Sequence, residues 1–216
     1  MATPNTNTPA VVAQQRLAKF ATPDFWQKEK IDEETGEITL VPRYRYLEGK
    51  PRGYRVDLKA GKFNIEGITP IAGNSLTIQP VAWNFFNGEI LGMSRRDWAE
   101  LYFFDKASNL CAILLHGYSV ENLMKLSGEL YYDDRELSSV LLTITPAAKE
   151  GVDKEGKKTK YYIAEFTQEA APDAELTREL QYWAKRSKIY RRETTSEANQ
   201  PTVSKNYFDP YHQTAE

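Results

Sequence analysis

"SLTIQPVAWNFF", residues 75–86, decides the fold. Its β-branched and aromatic residues suit a strand, yet Pro80 stands in the middle with no N–H to give to a ladder, so a long strand bulged at Pro80 is predicted. Next comes "NGEILGMSRRD" (87–97), a connection opened by the turn signal Asn87-Gly88. "WAELYFFD" (98–105) alternates: Ala99, Leu101 and Phe103 share one face, and Trp98, Glu100, Tyr102 and Phe104 the other. "LCAILLHG" (110–117) is apolar almost throughout, as expected of a strand buried on both sides.

A short helix follows, with Ser119 as cap, Glu121 in the first turn and Val120, Leu123 and Met124 as its buried stripe; Gly128 is expected to end or kink it. "LSSVLLTIT" (137–145) puts Val140, Leu142 and Ile144 on one face, and "KYYIAEFT" (160–167) is the last strand. Between them runs the polar hairpin "KEGVDKEGKKTK" with a basic tip. Residues 71–170 therefore read strand, strand, strand, helix, strand, strand. That order resembles the oligonucleotide-binding (OB) fold of the single-stranded DNA-binding protein family, of a phage or mobile-element type. "ILLHGYSVENLMKL" is similar to the family's passage from third strand to helix, and "LLTITPAAKEGVDKEGKKTKYYIAEF" to its last two strands with a flexible polar hairpin. The resemblance implies a mainly β chain, with a five-stranded OB-like barrel at 71–170 and sequence-independent binding of single strands in replication or recombination. The family's acidic C-terminal tail has no counterpart in "NYFDPYHQTAE", nor do the first 70 residues have one.

Upstream, residues 1–24 read as a disordered arm containing a short helix at 11–20, and residues 25–70 as a β-hairpin extension. "KIDEETGEITL" (30–40) has turn chemistry at Glu34-Thr35-Gly36 between apolar arms. A second hairpin is expected around "EGKPRG", with arms near 41–47 and 53–58. Tyr44 and Tyr46 would face one way there, and Arg43 and Arg45 the other. These cations, with Arg52 and Arg55, are either solvated or phosphate contacts. Downstream, Asp173 caps an amphipathic helix at 173–192 whose stripe is Leu176, Leu180, Trp183 and Ala184. Residues 193–216 read as a disordered tail whose Tyr207, Phe208 and Tyr211 could anchor in a protein partner.

Composition limits the function. The formal net charge is −2, so binding to a polyanion must come from local patches. The single cysteine, Cys111, allows no internal disulfide, which suits a reducing cytoplasm. No signal peptide or membrane-length run is visible, so a cytoplasmic protein is the default. Two histidines, His116 and His212, no Cys/His cluster and no phosphate loop argue against an enzyme, a metal or a cofactor. Asp133-Asp134 beside Arg135 reads as a solvated loop.

Single strands are held by cations that track phosphates and rings that stack bases. The candidates are Arg43, Arg45, Arg52 and Arg55, the hairpin lysines Lys157, Lys158 and Lys160, and Lys185 and Arg186 at the helix end. Trp98 and Tyr102 are the candidate rings, which either stack bases or pack beneath the N-terminal hairpins. The expected partner is single-stranded DNA, with RNA and self-association open. The alternative is a virion structural or interaction protein on a similar small barrel.

Overall fold

The computed structural model describes residues 27–152 and 156–201. The arm at 1–24 with its helix at 11–20, Lys154 at the hairpin tip, and Tyr207, Phe208 and Tyr211 of the tail lie outside the described residues. The chain is mainly β and divides into two units, residues 1–45 and 46–216.

In the first unit, β1 (Gln27–Ile31) and β2 (Ile38–Pro42) form the expected antiparallel hairpin, with Ile31 opposite Ile38. Asp32 builds its turn: one carboxylate oxygen accepts the N–H groups of Glu34 and Thr35, and Gly36 takes φ 70°.

The second unit begins with β3 (Arg52–Asp57), β4 (Lys62–Ile65) and β5 (Thr69–Pro70). These continue a sheet made by β7 (Ala82–Gly88), β8 (Arg96–Phe104) and β9 (Leu110–His116). With β12 (Gln200–Pro201) at one edge, its order is β12-β7-β8-β9-β3-β4-β5. A smaller sheet of β6 (Leu76–Ile78), β10 (Val140–Val152) and β11 (Lys158–Ala170) has the order β11-β10-β6.

Pro80 interrupts the opening stretch more deeply than a bulge. β6 pairs with β10 and β7 with β8, so one run of chain serves both sheets. Val81 resumes the hydrogen bonding by donating its N–H to the Tyr102 carbonyl at 2.8 Å. Among the described residues no sheet closes into a barrel. The edge of β9 is taken by β3 in parallel pairing, Arg52 opposite Cys111 and Tyr54 opposite Ile113.

That pairing also corrects the expected second hairpin and the boundary at 70. β2 pairs with β1, while β3 pairs with β4 and β9. Burial explains the preference. In β3, Tyr54 packs edge-on against Phe103 at 5.1 Å, and Phe63 of β4 is 1% exposed, so both join the main core.

The core lies between the two sheets and α1 (Tyr118–Tyr132). Ala99, Leu101 and Phe103 face it, as do Val140, Leu142 and Ile144. Ser119, expected as a helix cap, instead accepts the Ala164 N–H, and Asn122 donates to the Ala164 carbonyl, so the helix grips β11. Gly128 neither ends nor caps α1. A mid-helix glycine costs about 1 kcal/mol, and buried Leu123 and Leu130 on either side hold the helix together. In α2 (Ala174–Arg186), Asp173 caps as expected, accepting from Glu175 and Leu176.

Leu123 has no exposed surface and belongs to the main core cluster. Leu123→Ala should cost about 2–5 kcal/mol, read as a lower urea midpoint with an unchanged m-value. A loss below about 1 kcal/mol would mean that α1 is not integral to the core.

Candidate nucleic-acid interface

The β3–β4 turn is built by Asp57. Its carboxylate accepts the N–H groups of Lys59 at 2.8 Å and Ala60 at 3.1 Å, and its carbonyl accepts that of Gly61 at 2.7 Å. The side chains of Lys59 and Lys62 are left to solvent. Gly61 takes φ 65°, and a Cβ there would lie 2.6 Å from the Tyr162 ring. Tyr162 therefore sits flush on the turn, and its N–H donates to the Leu58 carbonyl at 2.9 Å.

Alternation along β11 puts Lys158, Lys160 and Tyr162 on one face, and the Lys160 ammonium lies 5.6 Å from the Tyr162 ring centroid. The Tyr162–Gly61 contact thus places two basic turns side by side. Lys59, Lys62, Lys158 and Lys160 are exposed, and none forms an ion pair among the described residues. Glu150, opposite Lys160 across the hairpin, is the nearest acid in register. Lys157 extends the same arm and is also exposed.

Arg43 and Arg45 belong to the first unit. The other predicted cations of the second unit are placed differently. Arg52 is spent on Asp105 at 3.5 Å. Arg55, on the opposite face of β3, lines a cavity on the outer side of the main sheet. Arg186 covers the Tyr182 ring at 3.8 Å beside Lys185 in the last turn of α2, where both complement the helix dipole.

Trp98 and Tyr102 are not presented to a ligand as stacking rings: they are 1% and 0% exposed. Tyr102 is covered by the segment 187–201 after α2, and Trp98 by Phe86, Ile90 and His116 of its own sheet and its β7–β8 loop. Trp98 stacks on Phe86, abuts His116 at 5.3 Å and donates its indole N–H to the Gly88 carbonyl at 2.9 Å. Tyr102 packs on Tyr190 and accepts the Arg191 N–H at 3.0 Å.

Between them Glu100, also without exposed surface, accepts from the Tyr102 hydroxyl at 2.5 Å, the Arg191 Nε at 2.8 Å and the Thr194 hydroxyl at 2.6 Å. Burial, reinforced by the Glu100 charge, pushes the Tyr102 hydroxyl pKa up and keeps it a donor. The segment is also pinned at both ends. Gly49 donates to the Lys188 carbonyl, and Asn199 lies so close over Gly88 that a Cβ there would stand 1.8 Å from its Oδ1.

Sequence reasoning missed this lock because it ran the helix on to 192, whereas α2 ends at Arg186, and because 193–201 carries no periodicity. The available signal was an acid inside "WAELYFF", which had to meet a cation somewhere. Among the described residues no His/Cys/Asp/Glu cluster could hold a metal ion. No protein-family model, curated protein or solved structure matches the chain.

Removing the central carboxylate leaves Arg191 beside a buried gap. Glu100→Ala should cost toward the lower end of ~3–5 kcal/mol, because Arg191 is partly solvated, and should speed hydrogen exchange across 187–201. An unchanged urea midpoint would show that the lock does not hold the segment.

His116 gives a pH test. Burial first, then the Arg96 charge, lowers its pKa from 6.5. Below that pH the unfolded chain binds a proton that the folded chain resists, so stability should fall as pH drops from about 7 to 5. His116→Gln should remove that part of the slope; an identical slope would place its origin elsewhere.

Proposed function

We propose that the chain binds single-stranded nucleic acid, DNA foremost, without reading its sequence, and serves replication or recombination as a non-catalytic protein. The observation that carries this reading is the lysine platform: Lys59 and Lys62 on one turn and Lys158 and Lys160 on a neighbouring arm, locked together by Tyr162 on Gly61. Four unpaired cations on two adjoining turns suit a flexible chain of phosphates, which needs charge at intervals rather than a shaped pocket. Tyr161 and Tyr162, both half-buried, supply rings beside them.

Support for an OB-like reading of residues 71–170 comes from the bent run β6–β7, which pairs with β10 by one half and β8 by the other, and from the helix between β9 and β10. On that reading the β10–β11 arm is one of the loops through which such folds engage single strands.

A structural-subunit reading has one observation in its favour. Ile31, Ile38 and Leu40 are each about 60% exposed on one face of the first unit's two-stranded hairpin, a ribbon that gains from being covered.

The deciding measurement is fluorescence anisotropy of labelled oligo-dT across a salt series. Each neutralised phosphate contributes about −0.7 to the slope of log K against log salt. Replacing Lys59, Lys62, Lys158 and Lys160 with Gln should weaken binding and flatten the slope by up to about 0.7 per cation lost. Gly61→Ala should weaken binding without removing any charge, by parting the turn from Tyr162. Absence of binding at low salt, together with self-assembly through the hairpin, would favour the structural reading.

A further inference from the structure

The cavity on the outer face of the main sheet is separate from the lysine platform. It encloses about 570 Å3, within the ~300–1,000 Å3 of small-molecule sites. Its floor is Trp98 of β8 with Leu114 and His116 of β9, and one wall is Ile90, Leu91 and Met93 of the β7–β8 loop. Arg191 and Thr194 also line it, so the segment locked by Glu100 contributes to its wall. Leu91 and Met93 are 63% and 37% exposed: the rim offers apolar side chains to whatever enters.

The polar groups narrow the class of ligand. Neither nitrogen of His116 has a hydrogen-bond partner among the described residues, and its lowered pKa leaves the ring uncharged near pH 7, one nitrogen donating and the other accepting. Arg55 forms no ion pair among the described residues. The lining charges balance: Arg55 and Arg191 stand against Glu89 and Glu193, with Glu100 buried behind Arg191. Such a cavity does not attract an anion. It suits a flat, uncharged ring with donors and acceptors on its edge.

We propose that this cavity takes one nucleobase, held between the Leu91/Met93 rim and the β8–β9 floor, with its edge hydrogen-bonded by His116 and Arg55. A base could come from a bound strand or from a free nucleoside. The strand as its source rests on the function proposed above, with the phosphates lying outside the cavity.

The test compares a labelled dT12 strand with a labelled abasic strand of the same length and charge, at one salt concentration. One captured base should favour dT12 by roughly fivefold or more. His116→Ala, and Ser196→Trp, which fills the cavity from its exposed wall, should bring that ratio toward one and leave abasic affinity unchanged. Equal affinity of the parent protein for both strands, or a ratio unaltered in both variants, overturns the proposal. If neither strand binds, the strand-binding reading fails by itself, and a thymidine titration followed on the His116 ring resonances decides. A shift abolished by Ser196→Trp keeps the cavity as a nucleoside site; no shift overturns it.

Discussion

A carboxylate without exposed surface sits at the middle of the longest strand of the main sheet, and much of the second unit is arranged to make that tolerable. An isolated buried charge carries a desolvation penalty of several kcal/mol. Glu100 meets it with three donors from three side chains, one of them a guanidinium. Tyr102 comes from the same strand, whereas Arg191 and Thr194 lie about ninety residues away in sequence. The carboxylate therefore specifies which part of the chain must return to cover β8, a role that an apolar residue of similar size would leave open.

That return sets the character of the outer face. Without 187–201, Tyr102 would lose its cover by Tyr190 and Arg191 and open a ring on a β-sheet face, the arrangement on which single strands stack in many binding folds. With it, that ring is buried and the face keeps a cavity with a mixed polar lining. Cationic surface is displaced to the far ends of β3 and β11, where turns carry lysines whose stems need no core. Separation of an apolar recess from a charged edge allows each to be altered without unfolding the other.

Most of the second unit's elements were legible because their signals are local. Alternation assigned the two faces of β8 and β10, Asp173 announced α2, and in the first unit Glu34-Thr35-Gly36 marked the turn of the hairpin. What was not legible depends on partners distant in sequence. "RGYRVD" alternates equally well for a hairpin with β2 or for parallel pairing with β9. The choice falls to β9 because Tyr54 and Phe63 then enter a core already formed by Phe103 and Ile113. Pro80 signalled an interruption, but its depth depends on β10 offering a ladder to β6. Of the predicted site residues, Lys158 and Lys160 join the platform, whereas Trp98 and Tyr102 share the face that alternation gave them and are buried there, Tyr102 under a segment distant in sequence. The segment "RSKIYRRETTSEANQ" begins like a continuation of the helix and ends without a period, and its placement follows from partners distant in sequence: Glu100, Tyr102, Gly49 and Gly88.

The platform also shows how a chain of net charge −2 can present a cationic surface. At physiological ionic strength charges act over about 8 Å, so a passing phosphate responds to the lysines nearest it rather than to the distant acids. Of the acids near the platform, the Asp57 carboxylate accepts two turn N–H groups, while Glu150 stands opposite Lys160 across the hairpin. The local positive field therefore depends on backbone geometry that occupies the nearby carboxylate as much as on the number of lysines. Gly61 is the point where that geometry is most constrained, since only a residue without a Cβ permits both the left-handed turn and the seat of Tyr162. One glycine thus links the charge of two turns that are about a hundred residues apart in sequence.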